Sequence, residues 1–333
     1  MKEPPLYPLR FEPIYQYRVW GGRRLASVLS APLPPDGCVG EAWLLSDRDE
    51  HASRVADGPL KGKTISQLAA QAPEQLMGKL SGHFSRFPLL FKFLDVRTQL
   101  SVQVHPTDAH LRLIPGGDTG KTEAWVVLEA GPAARVFAGF KKAIPADRVW
   151  QAIASGTVVE QLASFAPKPG DAVLIRAGLV HSLTDVVVFE VQQNSDVTFR
   201  LYDWDQRDPR TSQPRPLQVE QAMACIDFDQ GAIGPITPRV QDKQPLRETL
   251  VRCDQFGMTR ISGQLPFTVG AAQTPRVLAC LDGTGVLAHA GTNYVFGRGD
   301  VLLLPAEVGE CSCQPRGAIS VLEISLPADR EAA

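Results

Sequence analysis

The feature that most constrains this chain is a turn-and-strand signature that occurs twice. Pro169-Gly-Asp-Ala-Val-Leu-Ile-Arg-Ala-Gly178 resembles Arg298-Gly-Asp-Val-Leu-Leu-Leu-Pro-Ala-Glu307. Each copy places Gly-Asp at a tight turn, then a short apolar run that reads as a buried strand, then a second turn. Such a repeat fits two small β-barrels of one type rather than a parallel α/β sheet. Aligning Gly170 with Gly299 sets His181 opposite Glu310. The second copy therefore keeps the turn and the strand but not the histidine.

The length, 333 residues, allows two domains or one large one. Gly 28 and Pro 27 supply the punctuation that many short strands require. Lys and Arg total 34 against 36 Asp and Glu, a net charge of −2. That balance argues against nucleic acid or a membrane surface as the main partner, since either calls for a basic face. No run approaches the ~18 apolar residues that span a bilayer. The opening Met-Lys-Glu-Pro-Pro-Leu-Tyr-Pro has no apolar stretch of the secretory kind. Of six cysteines only Cys311 and Cys313 are close, with no second pair at zinc-site spacing, so reduced thiols and a cytoplasmic setting are expected.

Along the chain, Thr64 reads as the cap of a short helix and Pro73 as the start of another, within a helical segment near 62–80. Strand-like runs follow at Leu89–Val96, Leu100–Val104, Ala124–Leu128, Arg135–Phe140, Ala172–Ile175 and Val186–Gln192, with one or two helical turns at Thr107–Ile114. Pro145–Ser155 reads as a helix with Val149, Trp150 and Ile153 on one face. Pro216–Ile226 reads as another, burying Leu217, Val219, Ala222, Met223 and Ile226. The polar segment Gln230–Pro245 is expected to connect a first domain, 1–230, to a second, 246–328. Short strands fill the second, and a polar tail ends the chain.

The chemistry concentrates in the first half. Gln103 and His105 lie two apart on a strand and project to one face. Glu123 opens the next clear strand and His181 follows a Gly-Asp turn, so two imidazoles, a carboxylate and an amide oxygen offer a four-ligand set for a divalent metal. Spacing alone leaves other readings open: His105 as a satisfied core histidine, Glu123 as a surface residue. Lys92 stands in the apolar run Leu89–Leu94, where a lysine needs a reason; Lys121 precedes Glu123, and Arg200 follows Asn194-Ser-Asp196. Cations converging on a metal pocket would suit an anionic substrate such as a sugar phosphate. Gly117–Thr122 resembles the end of a phosphate-binding loop, but Pro115 occupies its first glycine position and a strand-like run follows instead of a helix.

Phe91-Lys-Phe-Leu-Asp95, Leu100-Ser-Val-Gln-Val-His-Pro106, Gly120-Lys-Thr-Glu-Ala-Trp125, Ala177-Gly-Leu-Val-His-Ser182 and Gln192-Gln-Asn-Ser-Asp196 with Arg200 resemble the type I phosphomannose isomerases, in that family's order and near its spacing. Gly40-Glu-Ala-Trp43 with Ser46 resembles an early family motif. The likeness covers roughly residues 6–226, and the overall length is similar to the shorter bacterial members. It implies a mainly β protein of two cupin (jelly-roll) domains with a small helical region. It implies one zinc per chain on Gln103, His105, Glu123 and His181, and interconversion of mannose 6-phosphate and fructose 6-phosphate. Lys92, Lys121, Asp196 and Arg200 match the family's active-site residues. Ala124 stands where a Cys is common and Leu179 where many members have Thr; neither position carries a ligand. A non-catalytic cupin that binds a sugar phosphate, or an isomerase of another sugar phosphate, are the alternatives. The second domain, with Glu310 at the histidine position, is expected to contribute packing, and the oligomeric state is open between monomer and homodimer.

Overall fold

The computed structural model describes residues 4–110, 112–116 and 118–326. Its strand ladders are antiparallel and form sheets of nine, seven and four strands. In the nine-stranded sheet, Phe199–Tyr202, Val102–Val104, His181–Gln193 and Leu89–Gln99 follow one another toward Ile14–Gly22 and Val39–Leu45. The long strand Glu123–Phe140 pairs with His181–Gln193, Ala172–Ile175 and Leu162–Phe165, which curls the sheet. In the C-terminal half the seven-stranded sheet faces the four-stranded one. Ile261, Leu278, Leu302 and Val321 of the first pack with Phe267, Leu287, Phe296 and Cys313 of the second.

The repeated Gly-Asp signature is the same turn twice. Gly170 and Gly299 have φ of 91° and 85°, a conformation that glycine adopts without steric cost. Asp171 accepts the N–H of Lys168 at 2.8 Å, and Asp300 accepts the N–H of Gly297 at 2.8 Å. Strands Ala172–Ile175 and Val301–Leu304 follow. His181 is then buried, whereas Glu310 is exposed.

Helices form where local signals ask for them. Thr64 caps Ile65–Gln71 through a reciprocal pair with Gln67, and Pro73 opens Pro73–Met77. The other two expected helices are shorter, Ala146–Ala154 and Val219–Cys225. Val149 is buried, but Trp150 is 42% exposed, and Leu217 lies ahead of the second helix and is 45% exposed. The expected runs Ala124–Leu128 and Arg135–Phe140 are parts of one strand, because Glu123–Phe140 pairs with His181–Gln193 on both sides of an irregularity between Ala130 and Arg135. Thr107–Ile114 forms turns and no helix among the described residues; Leu111 lies outside them.

The segment expected as a connection ends in a strand. Arg239–Lys243 pairs with Leu246–Arg252 at the edge of the seven-stranded sheet. At the other edge of that sheet lies Leu9–Arg10, paired with Val301–Leu304. The largest core cluster joins Leu44, Phe91 and Phe189 to Val277, Leu303 and Ile324, so one apolar interior runs between the sheets.

Candidate active site

Two cross-strand rows build the site. In the first, Arg200, Gln103 and His181 sit opposite one another on three adjacent strands. In the second, Trp43, Lys92, Glu190 and Trp125 align across four. Lys121 and Glu123 enter at the start of the long strand, and His105 lies just past the end of Val102–Val104. Strand pairing thus brings together side chains as far apart in the chain as Trp43 and Glu190. A cavity of about 310 Å³ opens onto Lys92, Gln103, Lys121, Glu123, Asp196 and Arg200. His105 and His181 are wholly buried beside it. All eight residues singled out from the sequence therefore converge on one place.

His105, Glu123 and His181 present ligand atoms within 4.8 Å of one another. The Nδ1 atom of each imidazole faces a backbone carbonyl, Val197 O at 2.8 Å for His105 and Leu179 O at 2.9 Å for His181. Those bonds place the ring proton on Nδ1 and leave both Nε2 lone pairs turned toward Glu123, 3.4 Å from its oxygens. Burial, helped by Lys121, pushes His105 down to about 3; burial also lowers His181. Both rings are consequently neutral near pH 7, as metal ligation requires. Gln103 adds an amide 3.1 Å from His181 Nε2, with its Oε1 accepting from Ser101 Oγ at 3.0 Å.

The donor set fits a divalent cation. Both Glu123 oxygens are buried without a hydrogen bond of good geometry. Lys121 Nζ lies among these ligands, 2.9 Å from Glu123 Oε2 and 3.2 Å from His105 Nε2. A buried carboxylate whose nearest cation is Lys121, faced by two inward imidazole lone pairs, offers the nitrogen and oxygen donors that a divalent cation takes. Burial works against the charge on Lys121, but Glu123 and Glu190 outweigh it and raise its pKa above the usual lysine range. With protein groups alone, Lys121 is thus an ammonium.

The second row gives Lys92 its reason. Its Nζ lies 3.4 Å from Glu190 and 3.8 Å from Glu41, and 5.2 Å from the centre of a Trp43 ring. Glu41 is buried, yet Arg18 and Lys92 overcome that burial and hold it at about 2. Arg18 forks onto it at 3.0 and 3.1 Å, and Trp43 Nε1 donates at 2.6 Å. Glu190 moves the other way: burial and the charge of Glu123 push it up to about 7, although Lys92 and the Trp125 N–H, 2.8 Å away, favour its anion. Arg200 is set apart by having no carboxylate within ion-pair distance among the described residues, and its Nε is buried without a partner. Burial and the neighbouring Arg215 lower its pKa.

Arg18, Glu41 and Glu190 were not singled out from the sequence. Glu190 carried a signal equal to that of Lys92, a charge inside Val186-Val-Val-Phe-Glu-Val191. Arg18 had none, because only the fold brings it to Glu41.

An antiparallel β architecture with an inward His/Glu/His group beside a cavity lined by charges of both signs defines a cupin-type metal-site protein. Comparison with known proteins places it further. Residues 9–118 match the family model "Phosphomannose isomerase type I, catalytic domain". The probable mannose-6-phosphate isomerase GmuF of Bacillus subtilis is 35% identical, over 91% of this chain and 95% of the relative. The mannose-6-phosphate isomerase ManA of the same organism is 33% identical, over 91% and 94%. The crystal structure of the Bacillus subtilis mannose 6-phosphate isomerase superposes with a TM-score of 0.87 at 27% identity, covering 96% of this chain and 99% of that one. The chain belongs to the type I phosphomannose isomerase family. The expected cupin fold is borne out. Among the described residues no helix is long and apolar enough to cross a membrane.

Proposed function

We propose that this chain is a zinc-dependent aldose–ketose isomerase that interconverts mannose 6-phosphate and fructose 6-phosphate through an enediolate. The observation that carries the reading is the convergence of His105, Glu123 and His181 on one point at the wall of a cavity that also holds Lys92, Lys121 and Arg200. Family membership supports the substrate pair, and the nitrogen and oxygen donors suit zinc.

Gln103, His105, Glu123 and His181 would hold the metal, with the Gln103 amide turned to present its oxygen. When bound, zinc supplies a Lewis acid for the sugar's C1 and C2 oxygens. The remaining work belongs to side chains. Isomerisation needs a group that takes the proton from the carbon beside the carbonyl and returns it to the neighbouring carbon. Lys121, an ammonium with protein groups alone, is assigned that transfer in the neutral form that a bound dication beside it would favour, and Glu190, at about 7, is the cavity carboxyl able to hold or release a proton near neutral pH. Arg200, without a carboxylate partner among the described residues, and Lys92 are assigned to the phosphate and the enediolate charge. Asp196, exposed at the cavity rim, orients the cations. The 1–230 unit carries the chemistry and the 246–328 unit packs against it.

The test is a coupled assay of zinc-loaded protein with mannose 6-phosphate and, separately, glucose 6-phosphate. Turnover of the first well above the second supports the reading. Turnover of glucose 6-phosphate alone would transfer the site to another isomerase reaction, and no turnover of either would leave a sugar-phosphate binder.

A further inference from the structure

The two loops that carry Lys121 and Asp196 into the site lie side by side and are tied to each other. Ser195 Oγ donates to Thr119 O at 2.8 Å. Thr122 N–H donates to Gln193 Oε1 at 2.9 Å, and Gln193 N–H to Thr122 O at 3.1 Å. Neither Asp118–Thr122 nor Asn194–Asp196 has regular secondary structure, so side chains help to set their place, beside backbone bonds from Lys121 N–H to Pro106 O and from Asn194 N–H to Pro88 O, both 2.9 Å. Asp118, Thr119 and Asn194 of these loops line a second cavity of about 520 Å³, together with Arg48.

Arg48 reaches both loops at once. Its guanidinium forks onto Asp118 at 3.1 and 2.9 Å, and its Nη1 also donates to Asn194 O at 3.0 Å. Asp118 in turn accepts the N–H of Thr119 at 3.0 Å and that of Asp196 at 3.4 Å. Asn194 Nδ2 returns to the Asp47 and Phe87 carbonyls at 3.1 and 2.9 Å, closing the connection to the segment that bears Arg48. A bidentate, half-buried pair with these extra bonds has a fixed geometry that an exposed ion pair lacks. It lines none of the substrate cavity, so it touches no substrate.

We propose that Arg48 and Asp118 are positioning residues for the isomerisation: their fork fixes the two loops in register, so that Lys121 and Asp196 face the same substrate. The inference rests on the isomerase reading above. Small losses of register are costly in such a site, since a displacement of about 1 Å can cost about 100-fold in rate.

The experiment uses the zinc-loaded full chain with Arg48→Met, Asp118→Asn, the double variant and Arg48→Lys. It measures kcat, KM, zinc per chain and thermal midpoint. Each single change is expected to lower kcat by about tenfold or more while zinc stays bound, and KM to move far less. The double variant should be little worse than either single one, because one fork is removed in all three. Arg48→Lys, which keeps the charge and a single contact, should recover part of kcat. Single variants with kcat within about twofold of wild type, or losses that multiply in the double variant, would overturn the proposal. So would losses that track zinc content. If Arg48→Met does not fold, Asp118→Asn and Arg48→Lys carry the same comparison. An inactive wild-type chain would instead refute the isomerase reading, which separates the two failures.

Discussion

Val197 and Leu179 contribute only backbone carbonyls to the site, yet they decide the tautomer of both histidines and so aim two Nε2 lone pairs at Glu123. Removing a ligand and removing a proton carrier should therefore have different signatures. His105→Ala and Glu123→Ala are expected to lose both zinc and turnover. Lys121→Ala should keep zinc and lose turnover by about 100-fold or more, the range of general acid–base catalysis. Metal analysis beside kcat distinguishes them, and near-wild-type kcat in Lys121→Ala would remove that lysine from proton transfer. The candidate ligands were legible in the sequence chiefly through the family motifs they sit in, since the spacing of Gln103-Val-His105 sets two donors on one strand face but left His105 open as a core histidine. Their backbone partners were not, since Val197 meets His105 only through the loop after the neighbouring strand. Lys92 was legible as a charge in an apolar run, and Glu190 in the same setting went unnoticed. The fold sets these two opposite each other.

At the scale of single elements, the helix at Ile65–Gln71 owes its start to the reciprocal Thr64–Gln67 pair. Thr64→Ala should cost about 1 kcal/mol. Denaturant unfolding measures it, and kcat of the folded protein should not change, because the helix lines no part of the substrate cavity. This start was readable in advance for the reason that makes it testable: a cap is a local device of four residues. The same holds for Pro73 and for the two Gly-Asp turns. Trp150 and Leu217 show where local reading ends. Periodicity assigns a face to each, but burial depends on which neighbour covers that face, and neither is covered. The continuity of Glu123–Phe140 likewise comes from its partner His181–Gln193, sixty residues further on.

For the whole molecule, a net charge of −2 gives no sign of a cavity into which charges of both signs are crowded. Lys92, Lys121 and Arg200 share one small cavity with Glu41, Glu123, Glu190 and Asp196, whose carboxyl groups offset them. A pH dependence follows for the metal-free protein. His105 is lowered from 6.5 to about 3, and His181 is lowered too, so below about pH 6.5 the unfolded chain takes up protons that the folded one refuses. That stability is present above pH 6.5 and lost as the pH falls. Glu190, raised from 4.5 to about 7, opposes it by binding a proton in the folded state, one carboxyl against two imidazoles. Glu41 joins the loss below about pH 4.5, as the pH falls toward its folded value of about 2. The thermal midpoint of the metal-free protein is expected to drop between pH 7 and pH 5, and a rise would contradict the neutral state of the buried histidines.

The central claim is that these buried donors hold a metal for sugar-phosphate isomerisation. It is met most directly by following mannose 6-phosphate turnover in one preparation before chelation, after chelation and after zinc is restored. Activity before chelation, its loss after, and its return as zinc approaches one per chain are expected. Undiminished turnover in the fully stripped protein would contradict it.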